Sequence, residues 1–356
     1  MNRVDTFLEL TVNQGGSDLH LVAGHAPRIR INGVLHTVRF RELSAEDVQL
    51  ALDEVIPPEY KERLTQELSV DFAYSTESLG RFRINVYHHS HGLAAAMRVI
   101  PAVIPSLKSL ALPDAIRIHA AEPNGLILVA GPTGSGKSTT LAAIIDHINE
   151  TRNGHIITLE DPIEYVHSFK KCIITQREIR VHAPNLADAL RDAVREDPDV
   201  ILVGELRDPE AIAIALTAAE TGIQIFGTLH TSGAARTIDR VINTFPANRQ
   251  EQARGMLADS LRMVISQRLL RTADGSRRVA ALEILVNTKA VRAHIRAGSS
   301  HKLTSVIQTG AGVGMQSLDA TLQSFVDQGV VSAAEAAEHA VDRSQLESRL
   351  VRAGTE

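Results

Sequence analysis

The chain of 356 residues carries 37 basic and 42 acidic side chains, a formal net charge of −5. That length suits about two domains, and the balance lacks the overall basic footprint of a nucleic-acid or anionic-lipid binder. Hydrophobic residues at 44% and charged residues at 22% exclude wholesale disorder, while the scarcity of rings (8 Phe, 4 Tyr, no Trp) argues against a base-stacking surface.

The start, Met1-Asn2-Arg3-Val4-Asp5, lacks the apolar core of a signal peptide. No apolar run approaches the roughly 20 residues that cross a bilayer. The expectation is a cytosolic protein whose membrane role, if it has one, is peripheral. Residues 1–100 read as a small α+β domain. Residues 5–14 have a helical pattern. Ser17 to Leu21 and Pro27 to Val38 read as short strands, with Asn32-Gly33 as a hairpin turn. Ser44 opens a helix that Pro57-Pro58 stops. Alternating strands follow around Arg81 to Tyr87 and Ala94 to Val99. Pro101, Pro105 and Pro113 then stiffen a segment at 101–115, the expected linker.

From Gly125 strands and helices alternate: Leu126 to Ala130, a helix from Lys137, Ile156 to Leu159, helix Leu186 to Arg195, Val200 to Val203, helix Pro209 to Thr221, and Ile223 to Gly227. This pattern predicts an α/β core over 116–287, with a parallel sheet covered on both faces. Asn185 is the expected cap of one helix, and the helix after Asp208-Pro209 is apolar nearly all round, so it should be buried. The one cysteine, Cys172, excludes an internal disulfide, a cysteine zinc cluster and a CxxC redox pair. Its setting, Cys172-Ile173-Ile174, predicts a buried thiol. Residues 288–356 read as helical, with capping boxes at Ser332…Glu335 and Ser344…Glu347.

Between the first core strand and its helix stands Gly131-Pro132-Thr133-Gly134-Ser135-Gly136-Lys137-Ser138-Thr139. It fits G-x-x-x-x-G-K-[ST], a loop whose backbone N–H groups close around a polyphosphate at the positive end of a helix. Lys137 is expected to reach the β- and γ-phosphates of ATP, and the Ser138 hydroxyl to bind Mg²⁺. The strand Val200 to Val203 would normally end in an aspartate that holds the metal; here Gly204-Glu205 follows. Glu205 is placed either to polarise an attacking water or to pair with Arg207. Glu160-Asp161-Pro162-Ile163-Glu164 sets carboxylates past the preceding strand, where Glu160 and Glu164 are candidates to replace the missing acid; a solvated acidic turn is the alternative. His230, ending another strand, is a candidate contact of the γ-phosphate or a structural histidine.

The phosphate loop, the acidic box Glu160 to Glu164, the string Arg195 to Asp208 and the histidine box Thr221 to Thr231 resemble those of the secretion and pilus traffic ATPases. Similarity runs almost end to end, through Gly16 to Leu21, Arg81 to Asn85 and Ile307 to Asp319. One cysteine and 356 residues do not suit the assembly branch, which is longer and usually carries a four-cysteine zinc insert. The retraction branch carries Ala-Ile-Arg-Asn-Leu-Ile-Arg-Glu near its C-terminus. Here Ala290-Val291-Arg292-Ala293-His294-Ile295-Arg296-Ala297 keeps both arginines and loses the final acid, which leaves an accessory retraction motor as an alternative. The resemblance implies a PAS-like N-terminal domain, a RecA-like P-loop NTPase core and a homohexamer with ATP between subunits and domains. It implies Arg81 and Arg83 at the γ-phosphate, with Arg195 and Arg207 as further candidates, and Arg98 near the base. The implied partners are an inner-membrane pilus platform protein, a paralogous retraction ATPase and, indirectly, pilin, with the motor at the cytoplasmic face of the pilus base. Nucleic acid is not an expected partner: a DNA translocase would share the loop and the ring, but neither charge nor aromatic content supports it.

Overall fold

The computed structural model describes residues 2–344 and 346 apart from 32, 77 and 102. The chain divides into two compact units, Met1–Val103 with Pro162–Val166, and Ile104–Asp161 with His167–Glu356.

In the first unit α1 (Arg3–Asn13) leads to β1 (Asp18–Val22), β2 (Arg28–Ile31) and β3 (Val34–Thr37). Then come α2 (Ala45–Asp53), α3 (Pro58–Glu67), β4 (Ser69–Thr76), β5 (Gly80–His89) and β6 (Gly92–Ile100). The strands make one antiparallel sheet in the order β3-β2-β1-β6-β5-β4. Alternation along β5 sends Phe82, Ile84 and Val86 into a core with Val4, Leu8, Leu19, Leu21 and Leu52, leaving Arg81, Arg83 and Asn85 on the opposite face. The hairpin between β2 and β3 pairs Ile31 with Val34, and Gly33 has φ +85°; Asn32 lies outside the described residues. Ser44 caps α2 by accepting from the Asp47 N–H, while the Asp47 carboxylate accepts from the Ser44 N–H. Pro57-Pro58 does more than stop a helix: α2 has already ended at Asp53, and Pro58, with its φ preset, starts α3.

The second unit runs α4 (Asp114–Ala120), β7 (Gly125–Ala130), α5 (Lys137–Thr151), β8 (His155–Glu160), β9 (Ile173–Glu178), α6 (Leu186–Ala193), β10 (Val200–Val203), α7 (Pro209–Glu220) and β11 (Gln224–Leu229). It continues with α8 (Ala234–Asn243), α9 (Gln250–Ser260), β12 (Leu261–Arg271), β13 (Arg278–Val286), α10 (Lys289–Arg296), α11 (Leu303–Thr309), α12 (Leu318–Asp327) and α13 (Ala333–His339). The sheet order is β13-β12-β7-β11-β10-β8-β9. Six strands are parallel, as the alternating pattern predicts, and β13 adds an antiparallel edge. Strands β7, β10 and β11 are buried throughout, which explains the apolar runs of β7 and β10; β11 buries Gln224 and Thr228 among its apolar residues. Asn185 and Asp208 cap α6 and α7 through their side chains, and α7 buries Ile212, Ala215 and Leu216.

Helices α12 and α13 pack a small core of their own, Leu318, Leu322, Val331 and Ala336, on Leu270 and Ala281 of the β12–β13 hairpin. Ser332 accepts from the Glu335 N–H, but the Glu335 carboxylate accepts from the Arg271 N–H at 3.0 Å and so ties α13 to β12. Glu347 of the second expected box lies outside the described residues. Cys172 is buried, its thiol donating to the Arg152 carbonyl at 3.1 Å, and burial pushes that thiol up. No helix among the described residues is long and apolar enough to cross a membrane.

Candidate active site

Parallel strands β7, β11, β10 and β8 present their carboxyl ends along one edge of the sheet, where open α/β sheets hold ligands. The phosphate loop leaves the end of β7 and enters α5. Gly131, Gly134 and Gly136 have φ of +152°, +78° and +87°, a region that only glycine enters cheaply. A Cβ on Gly131 would lie 2.4 Å from the Gln267 carbonyl and 2.5 Å from Ser135 Oγ, so glycine is required there twice over. Lys137 is buried at the start of α5, and its ammonium donates to the carbonyls of Gly131 and Pro132 at 2.9 and 3.1 Å. Ser138 and Thr139 follow in the first turn of α5, where N–H groups and the helix dipole favour an anion. Pro132, Thr133, Gly134 and Ser135 line a pocket of about 380 Å³ with Arg268 and Arg278.

At the end of β10 the missing aspartate has a steric reason. A Cβ at Gly204 would stand 3.2 Å from the Leu159 carbonyl and 3.3 Å from the Glu160 Cα, because β8 runs alongside and accepts the Gly204 N–H at 2.7 Å. The first carboxylate after the strand is therefore Glu205. It is held by Arg207, whose NH2 lies 2.5 Å from Oε2, and by His230, whose Nε2 lies 3.0 Å from Oε2. Burial alone would push the Glu205 carboxyl up; Arg207 and His230 outweigh it and hold it below the usual carboxylate range. With Nε2–H donating to Glu205, His230 Nδ1 accepts from the Thr133 hydroxyl at 3.4 Å. Thr133, His230, Glu205 and Arg207 thus form one polar chain from the phosphate loop across the ends of β11 and β10. Glu205 pairs with Arg207, the second of the two alternatives read from the sequence, and it follows a strand whose carboxyl end lies on the same sheet edge as the phosphate loop.

Glu160 ends β8, where Oε1 accepts from Thr158 at 2.6 Å and from Gln176 at 3.2 Å. Hard oxygens from Glu160 and Ser138 fit the chemistry of Mg²⁺. Within the acidic box, Asp161 closes a stretch of the second unit, and Glu164 belongs to Pro162–Val166 of the first. Arg195 is exposed just beyond α6.

The arginines of the first unit form a row across its sheet. Arg83 stands opposite Arg98, and Arg98 opposite Asp18. Arg98 donates to Asp18 at 2.9 Å, and Arg83 binds Asp71 through Nε and NH2, the shorter contact at 2.6 Å. Arg81 lies two residues before Arg83 on the same face of β5. Within their own unit Arg83 and Arg98 therefore have carboxylate partners.

Strand β12 and its neighbour β13 supply groups that no motif announced. Ser266 Oγ accepts from the Gly233 N–H at 2.8 Å, and Glu283 Oε1 accepts from the Ala234 N–H at 2.6 Å. Together they fix the start of α8 and the loop that follows His230. Burial pushes the Glu283 carboxyl up, against the hydrogen bond from Ala234. Gln267, the residue after Ser266, reaches the phosphate loop instead.

Residues 2–338 match the family model described as type II/IV secretion system protein. The chain is 49% identical over 324 residues to a twitching motility protein of Neisseria gonorrhoeae, covering 91% of this chain and 86% of that one. It is 44% identical over 337 residues to the type IV pilus retraction ATPase PilT of Pseudomonas aeruginosa, covering 95% and 98%. The fold is similar to a crystal structure of the pilus retraction motor PilT with bound ADP, with a TM-score of 0.89 and 43% identity, covering 98% of this chain and 99% of that one.

Proposed function

The chain belongs to the type II/IV secretion system protein family, and within it we propose that the protein is an ATP-hydrolysing motor that drives type IV pilus retraction. The observation that carries this reading is identity of 44–49% to retraction and twitching proteins over nearly the whole of both chains. ATP binds at the phosphate loop, with Lys137 moving from the carbonyls of Gly131 and Pro132 to the β- and γ-phosphates. Ser138 and Glu160 would hold Mg²⁺ together with the nucleotide, and the ion would supply charge neutralisation at the phosphates. Glu205 polarises the attacking water, and His230 links that carboxylate to the loop that holds the γ-phosphate. Arg81, Arg83 and Arg98 are proposed nucleotide contacts, and residues 101–115 the linker, on family likeness. By the same likeness the motor is a homohexamer acting on an inner-membrane platform protein at the cytoplasmic base of the pilus, and pilin returns to the membrane.

Deleting the gene and counting surface pili tests this reading. Excess pili with loss of surface motility is the expected result. Bald cells would overturn it in favour of an assembly motor.

A further inference from the structure

Gln267 lies on β12, buried to 2% exposure, one residue past the point where Ser266 pairs with Ala130 at the end of β7. Its side-chain amide is used at both ends. Nε2 donates to the Ser135 carbonyl at 2.7 Å, and Oε1 accepts from the Thr140 hydroxyl at 2.8 Å. The two partners bracket the end of the phosphate loop and the first turn of α5. Ser135 O can only accept, which fixes which end of the amide faces it.

The contact matters because of what a peptide plane does. In a trans peptide the carbonyl and the following N–H point in opposite directions. Holding the Ser135 carbonyl against β12 therefore turns the Gly136 N–H away from β12, toward the concave side of the loop. The plane turns on ψ of Ser135 and φ of Gly136, and Gly136, at φ +87° and without a Cβ, accepts either sign of φ, so on that side a flip would meet little steric resistance. A flipped plane would aim a carbonyl dipole at the bound phosphate. Close packing supports the same role: a Cβ on Gly136 would lie 2.9 Å from Gln267 Nε2, so the loop is seated directly on this amide.

We infer that Gln267 is a positioning residue for nucleotide binding: its amide locks the Ser135–Gly136 peptide with the N–H toward the β-phosphate. The inference rests on the reading of residues 131–139 as the ATP site. It distinguishes Gln267 from an ordinary buried polar residue, whose loss would lower stability without changing affinity for nucleotide.

The test uses the full-length protein. Affinity for Mg·ATP and Mg·ADP is measured by fluorescent-nucleotide titration, alongside KM, kcat and thermal unfolding. Gln267→Met keeps the shape and removes both hydrogen bonds; Kd and KM should rise about tenfold, with kcat at saturation within about twofold. Gln267→Glu cannot donate to Ser135 O when ionised and adds a negative charge near the phosphates, so its affinity should fall further, by about a hundredfold. Should the Met variant fail to fold, Thr140→Val cuts only the anchor at Oε1 and should weaken binding about threefold. Unchanged Kd and KM in the folded variants, with only a lower unfolding temperature, would overturn the proposal. Lys137→Ala run in parallel separates the two claims. If it abolishes binding while Gln267→Met does not alter it, Gln267 is merely structural; if Lys137→Ala also binds normally, the ATP site itself has been misplaced.

Discussion

The phosphate loop and the Glu205 cluster occupy the same sheet edge but are built in different ways. The loop is backbone: three glycines with positive φ, the Ser135 carbonyl held by Gln267, and a helix start behind them. The cluster is side chain on side chain, with Glu205 shared between Arg207 and His230. Backbone held by packing is ready for its ligand before the ligand arrives. A carboxylate engaged by Arg207 and His230 is held in its ionised form against burial. The loop is thus shaped by backbone and packing, while the cluster rests on contacts between side chains alone.

Glu205→Gln separates the two regions most strongly. Turnover should fall by about 10²–10⁴-fold, while titration with Mg·ATP should give near-normal affinity. If affinity were lost as well, the cluster would be part of the binding framework and the contrast would disappear.

Gly131→Ala attacks the backbone side. The added Cβ meets the Gln267 carbonyl at a left-handed φ, so unfolding in urea should show a loss of about 2–4 kcal/mol. A stability close to wild type would mean that the loop yields easily.

Arg207→Gln sharpens the electrostatic half. Arg207 and His230 lower the Glu205 pKa against burial, which raises it. A carboxyl with a depressed pKa stays ionised until pH falls through that value. Without Arg207 burial regains weight, the carboxyl protonates at higher pH, and the acid limb of the kcat profile should move upward. An unmoved limb would assign the depression to His230.

The smallest effect is expected on α10. Arg296 on α10 pairs with Asp259 at 2.5 Å, both about half exposed. Arg296→Ala should cost only about 0.2–1 kcal/mol and leave ATP hydrolysis intact. A pair of this strength also relieves the like-charge strain between Arg292 and Arg296, four residues apart on one helix.

What could be read in the sequence was what local chemistry encodes. The phosphate loop, the caps at Asn185 and Asp208 and the buried runs of β7, β10 and β11 each announce themselves within ten residues. The elements that were not read lack such a signature. In β12, Arg262, Ser266, Gln267 and Arg268 interrupt the apolar positions, and their reasons lie elsewhere in the chain: Gln267 answers to Ser135 and Thr140, 132 and 127 residues away. Strand β9 is an edge, so Ile173 faces outward and its short run did not separate from a loop. Pro57-Pro58 hid α3 because proline ends one helix and begins another equally well. The parts of the site made by sequence neighbours were legible, and the parts made by strands meeting across the sheet were not.

The buried Cys172 has a practical consequence. A thiol enclosed by protein and raised by that enclosure reacts slowly with maleimides at neutral pH. The natural protein is thus a nearly silent background for site-directed labelling, and a fluorophore or spin label attached to new surface cysteines could follow the motor through its cycle with no native residue replaced beforehand.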